Sequence, residues 1–121
     1  MPRVIHNKLA SHSEIMALEK ITSALSGVTG VKRIYFFGSR RRGDFRGSSD
    51  MDLLLVIDSI SLKDRIIHIL HEIELEYDVP ISPVIFTSSE YAMNRKLNSS
   101  FIRNVEREGI LLYDAEDRGQ N

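Results

Sequence analysis

Residues 36–57, FFGSRRRGDFRGSSDMDLLLVI, decide the fold and raise the main question about function. An apolar segment stands at each end, and the residues between them are rich in glycine, serine and arginine. Asp50 and Asp52 stand at the start of the second apolar segment. Aspartate is a poor strand former, and a charge beside a buried strand is costly unless it is paired or bound to a cation. The stretch therefore predicts two strands joined by a polar loop, with a charged site where the second strand begins.

The spacing of the two aspartates indicates a cation site. Alternate side chains of a strand lie on the same face, so Asp50 and Asp52 point the same way, about 7 Å apart at a rise of ~3.3 Å per residue. Their charges repel each other unless a divalent cation lies between them. Mg²⁺ prefers oxygen ligands and commonly uses one or two carboxylates together with substrate phosphates. The alternative is that both aspartates are solvated residues at a junction of loop and strand.

Gly38 and Ser39 directly follow the first strand and suit a phosphate group. Glycine lets the backbone approach a ligand closely, and a helical turn over residues 40–42 would offer free N–H groups to an anion. By itself, the dipeptide also fits an ordinary turn. Four arginines fall within residues 40–46 while the whole chain has a net charge of −1. This local cluster favours a small anionic ligand over a long polyanion.

The composition limits the class of protein. The chain has 121 residues with 42% hydrophobic content, which suits one domain with its own core. It has no cysteine, which excludes disulfides and thiolate metal sites and fits a reducing cytoplasm. No apolar run reaches the ~20 residues that a membrane span needs, and the N-terminus lacks the apolar core of a signal peptide. We therefore expect a cytoplasmic protein without membrane association and without strong general binding to nucleic acid.

Hydrophobic periodicity predicts an α/β (α+β) fold, a small mixed β-sheet with helices packed on it. Helices are predicted over residues 13–26, 61–77 and 101–108, and strands over residues 31–37, 51–57, 81–86 and 110–113. Thr87 and Glu90 have the spacing of a capping box and open a further helix through Tyr91. Pro83 lacks an N–H group and places its strand at an edge or a bulge. We expect a single domain over residues 11–113, an N-terminal arm over 1–10 and a polar tail over 114–121.

The combined motif resembles the minimal nucleotidyltransferases, a family of the DNA polymerase β-type nucleotidyltransferase superfamily. The resemblance extends over residues 15–113, nearly the whole chain. It is carried by two motifs and a closing segment: Gly38-Ser39-Arg40-Arg41-Arg42-Gly43, Ser49-Asp50-Met51-Asp52-Leu53, and FIRNVEREGILLY at residues 101–113.

The resemblance implies a fold, a reaction and a set of site residues. The reaction is transfer of a nucleoside monophosphate from ATP or another NTP to a hydroxyl group, with release of pyrophosphate. Asp50 and Asp52 inherit catalysis and Mg²⁺ binding, and two metal ions can share such a site. Binding of the nucleotide and its phosphates falls to Gly38, Ser39, Arg40, Arg42 and Ser49. For the two arginines of this set, the alternative is a solvated basic loop.

The resemblance also implies a partner protein. Members of the family often act as the antitoxin half of a toxin–antitoxin pair. Their partners are helical proteins with the higher eukaryotes and prokaryotes nucleotide-binding domain, and active members modify a tyrosine hydroxyl on that partner. The alternative function is a catalytically weak or inactive nucleotide-binding module that neutralises its partner by binding.

Two features depart from the family pattern. Arg41 stands where the family commonly has a small residue. Active relatives also carry a third carboxylate on the following strand, whereas residues 80–86, PISPVIF, contain no acid, and Pro80 or Ser82 takes its place. Asp78 is a candidate, although the simplest alignment gives it the wrong register. Without that acid, general-base catalysis, typically worth about 10²–10⁴-fold, would be missing.

The end of the second long helix is strongly acidic. The residues concerned are Glu72, Glu74, Glu76 and Asp78. Negative charges near a helix C-terminus interact unfavourably with the helix dipole. The simplest interpretation of this cluster is a solvated face.

Overall fold

The computed structural model describes residues 12–37 and 50–116, which form four helices and four strands. In chain order these are α1 (His12–Ser26), β1 (Val31–Phe37), β2 (Met51–Ile57), α2 (Lys63–Tyr77), β3 (Ile81–Thr87), α3 (Ser88–Lys96), α4 (Ser100–Glu108) and β4 (Ile110–Asp114). A 3₁₀ turn at Ile60–Leu62 precedes α2. Apart from the end of α3, the bounds lie within two residues of the predicted ones.

The four strands form one mixed sheet in the order β3-β2-β1-β4. Strand β2 pairs with β3 in parallel and with β1 in antiparallel orientation, and β4 pairs antiparallel with β1. This confirms the predicted α/β (α+β) class with a mixed sheet. Strand β3 lies at an edge, where the missing N–H of Pro83 is tolerated.

Helices cover both faces of the sheet. On one face, α1 and α2 pack on a buried cluster to which β2 contributes Leu53 and Leu55. On the other face, α3 and α4 pack on a second cluster to which β2 contributes Leu54 and Val56. Because β2 is buried on both sides, its sequence is a continuous apolar run rather than an alternating one.

Local sequence explains most of the boundaries. Thr87 and Glu90 form the predicted capping box, with hydrogen bonds in both directions, and α3 continues past Tyr91 to Lys96. Strand β4 extends one residue further than predicted because Asp114 pairs with Arg33 in the sheet ladder and lies 3.6 Å from its guanidinium. Within residues 12–37 and 50–116, no helix is both long enough and apolar enough to cross a membrane.

Candidate active site

The two aspartates of the sequence motif lie at the end of the sheet where β2 begins. Asp52 shares a face of β2 with Leu54 and Val56, which pack under α3 and α4. Asp50 precedes the strand by one residue, and continued alternation would put it on the same face. Asp50 is exposed and Asp52 is half-buried. Asp52 therefore lies where β2 begins, on the side of α3 and α4, with Asp50 two residues before it in the chain.

Two different neighbours flank Asp52 across the sheet. Its partner on β1 is Phe37, and its partner on β3 is Ser82. The ring of Phe37 packs edge-on against Phe101 of α4, with 5.4 Å between ring centroids and an interplanar angle of 79°. The aspartate thus has an aromatic residue on one side and a small hydroxyl residue on the other.

The position beside Asp52 on β3 holds no carboxylate. Ser82 takes that position, and Asp78 stands four residues earlier in the chain. Asp78 ends α2 in the left-handed conformation, with φ of 57° and ψ of 45°, and donates its backbone N–H to the carbonyl of Glu74. Strand pairing therefore sets a serine next to Asp52, while Asp78 belongs to the helix cap.

The two carboxylates fit Mg²⁺ as part of its ligand set. Among the described residues, no group of three or more histidine, aspartate or glutamate side chains is placed to hold a metal ion. Within the described part of the chain, Asp50 and Asp52 remain the ligands that the sequence motif predicts. Hard oxygen donors of this number suit an ion that takes its remaining ligands from water and substrate phosphates.

The predicted phosphate-binding loop lies outside the described residues. This holds for Gly38, Ser39, Arg40, Arg42 and Ser49, so their roles remain predictions. The described residues on either side do fix where the loop leaves and rejoins the sheet. Phe37, the last residue of β1, is paired with Asp52, and the chain returns at Asp50. Both ends of the loop are thus anchored beside the aspartates.

A second polar cluster lies on the same face but further along the strands. Arg33 is paired with Val56, four residues along β2 from Asp52 and so about 13 Å away. Its Nη1 donates to the hydroxyl of Tyr91 over 3.3 Å, and that hydroxyl donates to Glu106. Burial, followed by the hydrogen bond to Glu106, raises the pKa of Tyr91 well above its usual range.

This cluster connects elements that are distant in sequence. Arg95 Nε lies 3.1 Å from Glu106 Oε2, and Arg33 Nε lies 3.6 Å from Asp114 Oδ2. Arg33, Arg95 and Asp114 also help to line an open cavity of about 210 Å³. Sequence reasoning missed the cluster because its members come from β1, α3, α4 and β4 and share no local motif. At this distance from Asp52 it acts on the packing of the helices rather than on the reacting groups.

Comparison with known proteins gives a consistent result. A family model described as polymerase beta, nucleotidyltransferase matches residues 19–118. Two Methanocaldococcus jannaschii proteins carry the provisional name protein adenylyltransferase. One is 39% identical over 103 residues, which cover 84% of this chain and 99% of that protein. The other is 35% identical over 81 residues, which cover 64% of this chain and 75% of that protein.

A solved structure shows a weaker likeness. It is a crystal structure from Sulfolobus solfataricus, provisionally described as a nucleotidyltransferase, with a TM-score of 0.49 and 21% sequence identity. The match covers 91% of each chain. A likeness at this level carries no argument about the site.

Proposed function

Because the chain belongs to the polymerase beta nucleotidyltransferase family, we propose that it transfers an adenylyl group from Mg²⁺-ATP to a hydroxyl group on a partner protein. Nucleotidyl transfer as such follows from the family. ATP as the donor and a protein as the acceptor are supported by the provisional name of the two archaeal relatives, protein adenylyltransferase.

The observation that carries the proposal is the placement of the aspartates. Asp52 lies at the start of β2 with Asp50 two residues before it, and its partner across the sheet is Phe37, the last residue of β1 before the predicted phosphate loop. A site for Mg²⁺-ATP needs carboxylates and phosphate-binding groups within reach of each other. The pairing of Phe37, the residue before the predicted phosphate-binding Gly38, with Asp52 supports such an arrangement.

The reaction requires the acceptor oxygen to attack the α-phosphorus of ATP. A new P–O bond forms, the bond to the bridging oxygen breaks, and pyrophosphate leaves with the electron pair. Bound Mg²⁺ would neutralise phosphate charge, and Asp50 and Asp52 would hold it. The acceptor proton must also leave, but the hydroxyl of Ser82 does not take up protons at neutral pH. The proton therefore passes to solvent or to a base that the acceptor brings, and we expect slow transfer.

An acceptor on another protein suits this arrangement. Asp50 is exposed, which suits an acceptor as large as another protein. We infer the antitoxin-type half of a toxin–antitoxin pair. The partner is a helical protein with the higher eukaryotes and prokaryotes nucleotide-binding domain, and a tyrosine hydroxyl on that partner is the acceptor.

One observation favours a second function. Ser82 stands beside Asp52, where a carboxylate would assist catalysis. A chain that keeps the nucleotide site but lacks this base would act as a nucleotide-binding module that neutralises its partner by occupying the partner's surface.

Transfer of labelled nucleotide distinguishes the two functions. The chain is incubated with ATP labelled at the α-phosphate, Mg²⁺ and the candidate partner, and label on the partner is counted. The wild type should label the partner, and Asp50→Asn combined with Asp52→Asn should not. Asp58→Asn is the matched control, since Asp58 follows the other end of β2 and is exposed.

The outcomes separate the candidates. Partner binding without label would support the module. Equal labelling by the wild type and the double variant would exclude the aspartates as the metal ligands, and with them the proposed site.

A further inference from the structure

Glu74, in the last turn of α2, holds the first residue of β3. Its Oε2 accepts a hydrogen bond from the backbone N–H of Ile81 over 2.7 Å. Its own backbone carbonyl accepts the N–H of Asp78, and that of Val79 over 3.3 Å. One residue therefore holds both ends of the connection between α2 and β3. The interpretation of this acidic helix end as a solvated face is wrong for Glu74, since its carboxylate is engaged with the sheet.

The bond from Glu74 acts on a peptide unit that also contacts the candidate site. The carbonyl of Pro80 accepts the backbone N–H of Met51 over 2.9 Å. The peptide between Pro80 and Ile81 is trans, so its C=O and N–H point in opposite directions. Met51 of β2 therefore holds this unit from one side, and Glu74 holds it from the other.

Met51 stands between the two aspartates of the site. The peptide unit held by Glu74 thus fixes the register of β3 against β2 next to Asp50 and Asp52. In this register, Ser82 lies beside Asp52. We propose that Glu74 is the positioning residue of the metal site: its carboxylate keeps β3 in register with the two metal-binding aspartates. This inference rests on the proposed function, because it assumes that these aspartates bind the cation.

A carboxylate suits this task better than water does. In the sheet formed by the described residues, β3 is an edge strand, and its outward N–H groups face no further strand of that sheet. A hydrogen bond from a backbone N–H to a carboxylate is about twice as strong as one between neutral groups. Glu74 is also partly screened from solvent, with 30% of its side chain exposed. Its other oxygen lies 3.4 Å from Nδ1 of His71, which is largely exposed, so that contact adds little.

Apolar packing holds the same connection independently of the hydrogen bond. Ile73 and Val79, on either side of it, are only 3% and 5% exposed and belong to the core under α1 and α2. We therefore expect Glu74→Ala to fold, with β3 free to shift by a fraction of an ångström at the site.

The test compares three variants of the full chain with Mn²⁺ as the probe. Mn²⁺ binding is measured by electron paramagnetic resonance with a non-hydrolysable ATP analogue present, and the transfer rate and melting temperature are recorded in parallel. Glu74→Ala should weaken Mn²⁺ binding about tenfold, as is typical when a group that orients metal ligands is lost. Glu74→Gln keeps an oxygen that accepts the Ile81 N–H and should stay near the wild type. Glu76→Ala, an exposed residue of the same turn, should change nothing.

Several results would overturn the inference. One is that Glu74→Ala binds Mn²⁺ as tightly as the wild type and only its melting temperature is lower. Glu74 would then stabilise the fold without positioning the metal site. Another is Mn²⁺ binding by Glu74→Gln that is as weak as that by Glu74→Ala. This result would mean that the charge of Glu74 matters rather than its hydrogen bond. A wild type without Mn²⁺ binding would remove the metal site altogether.

Two further measurements allow the result to be interpreted if a variant does not fold or the wild type transfers no nucleotide. If Glu74→Ala does not fold, Glu74→Asp replaces it, since the shortened side chain keeps the charge but withdraws from Ile81, and we expect weakened Mn²⁺ binding again. If the wild type binds Mn²⁺ but transfers no nucleotide, the proposed function fails while the Mn²⁺ measurements still decide the role of Glu74.

Discussion

Ser82 is the residue at which this chain departs most clearly from an efficient catalyst. It pairs with Asp52 across the sheet, so a carboxylate there would lie next to one of the two proposed metal ligands. A hydroxyl neither attracts a cation strongly nor removes a proton at neutral pH. The side chain at this one position bears directly on whether the chain is an efficient enzyme or mainly a nucleotide-binding module.

Replacement of Ser82 by aspartate tests that role. We expect Ser82→Asp to raise the initial rate of transfer, by up to about 10²–10⁴-fold if the new carboxylate reaches the acceptor hydroxyl. Without Mg²⁺ the added charge beside Asp52 should lower the melting temperature, because like charges repel. Ser89→Asp, at an exposed position of α3, is the control and should leave the rate unchanged.

Asp78 provides a second check on the same argument. Because Asp78 ends α2 through its backbone, and asparagine also tolerates the left-handed conformation, Asp78→Asn should leave transfer unchanged. A large loss with Asp78→Asn, or a rate in Ser82→Asp below that of the wild type with Mg²⁺ binding intact, would show that the missing base is not the limitation.

At the scale of elements, the strands were predictable and their partners were not. The bounds of β1 and β2 follow from local apolar and β-branched character, and the unbroken run of Leu53 to Val56 indicates burial on both faces. The neighbours of Asp52 depend on sheet register, which local sequence does not fix. Glu74 shows the same limit, since a carboxylate bound to a strand N–H has the same local sequence as a solvated one.

The polar cluster on Tyr91 illustrates how elements are tied together beyond local sequence. Arg33 and Tyr91 are 58 residues apart in the chain, yet the guanidinium both donates to the Tyr91 hydroxyl and lies 5.6 Å from the centre of its ring. Through Glu106 the same hydroxyl joins α3 to α4. Its removal therefore loosens the attachment of both helices to β1.

Tyr91→Phe should lower the free energy of unfolding at neutral pH by about 1.5 kcal/mol, because the hydroxyl bonds with charged groups. The variant should also change the pH dependence. The pKa of Tyr91 is raised in the folded chain, so the folded state keeps a proton that the unfolded chain loses above its ordinary pKa of about 10. This retained proton contributes fully to the stability of the folded state below that pH, and its contribution declines as the pH rises further.

Urea unfolding at neutral and strongly alkaline pH measures this effect. The difference in the free energy of unfolding between wild type and Tyr91→Phe should become smaller as the pH rises. A difference for Tyr91→Phe that stays constant above the tyrosine pKa would contradict the raised pKa.

At the scale of the whole molecule, the sheet separates two tasks. The face under α1 and α2 holds a continuous apolar core. The opposite face carries the aspartates at one end and the Tyr91 cluster at the other, with α3 and α4 between strands and solvent. If nucleotide binds at the aspartate end as proposed, and binds only the folded chain, its binding energy adds to the stability of that chain.

Nucleotide binding should accordingly appear in the melting temperature of the intact chain. A ligand that binds only the native state stabilises it by about 2.7 kcal/mol at a hundred times its dissociation constant. We expect ATP with Mg²⁺ to raise the melting temperature of the wild type and of Asp58→Asn, and to raise that of the Asp50→Asn, Asp52→Asn double variant much less. ATP with EDTA should shift all three weakly, because no cation then joins the phosphates to the site, and in the wild type and Asp58→Asn the carboxylates also repel the phosphates. Equal shifts in wild type and double variant would mean that ATP binds away from these aspartates.

The measurement needs no acceptor, so a clear shift without transfer would establish the nucleotide site and leave the acceptor and its base as the missing parts.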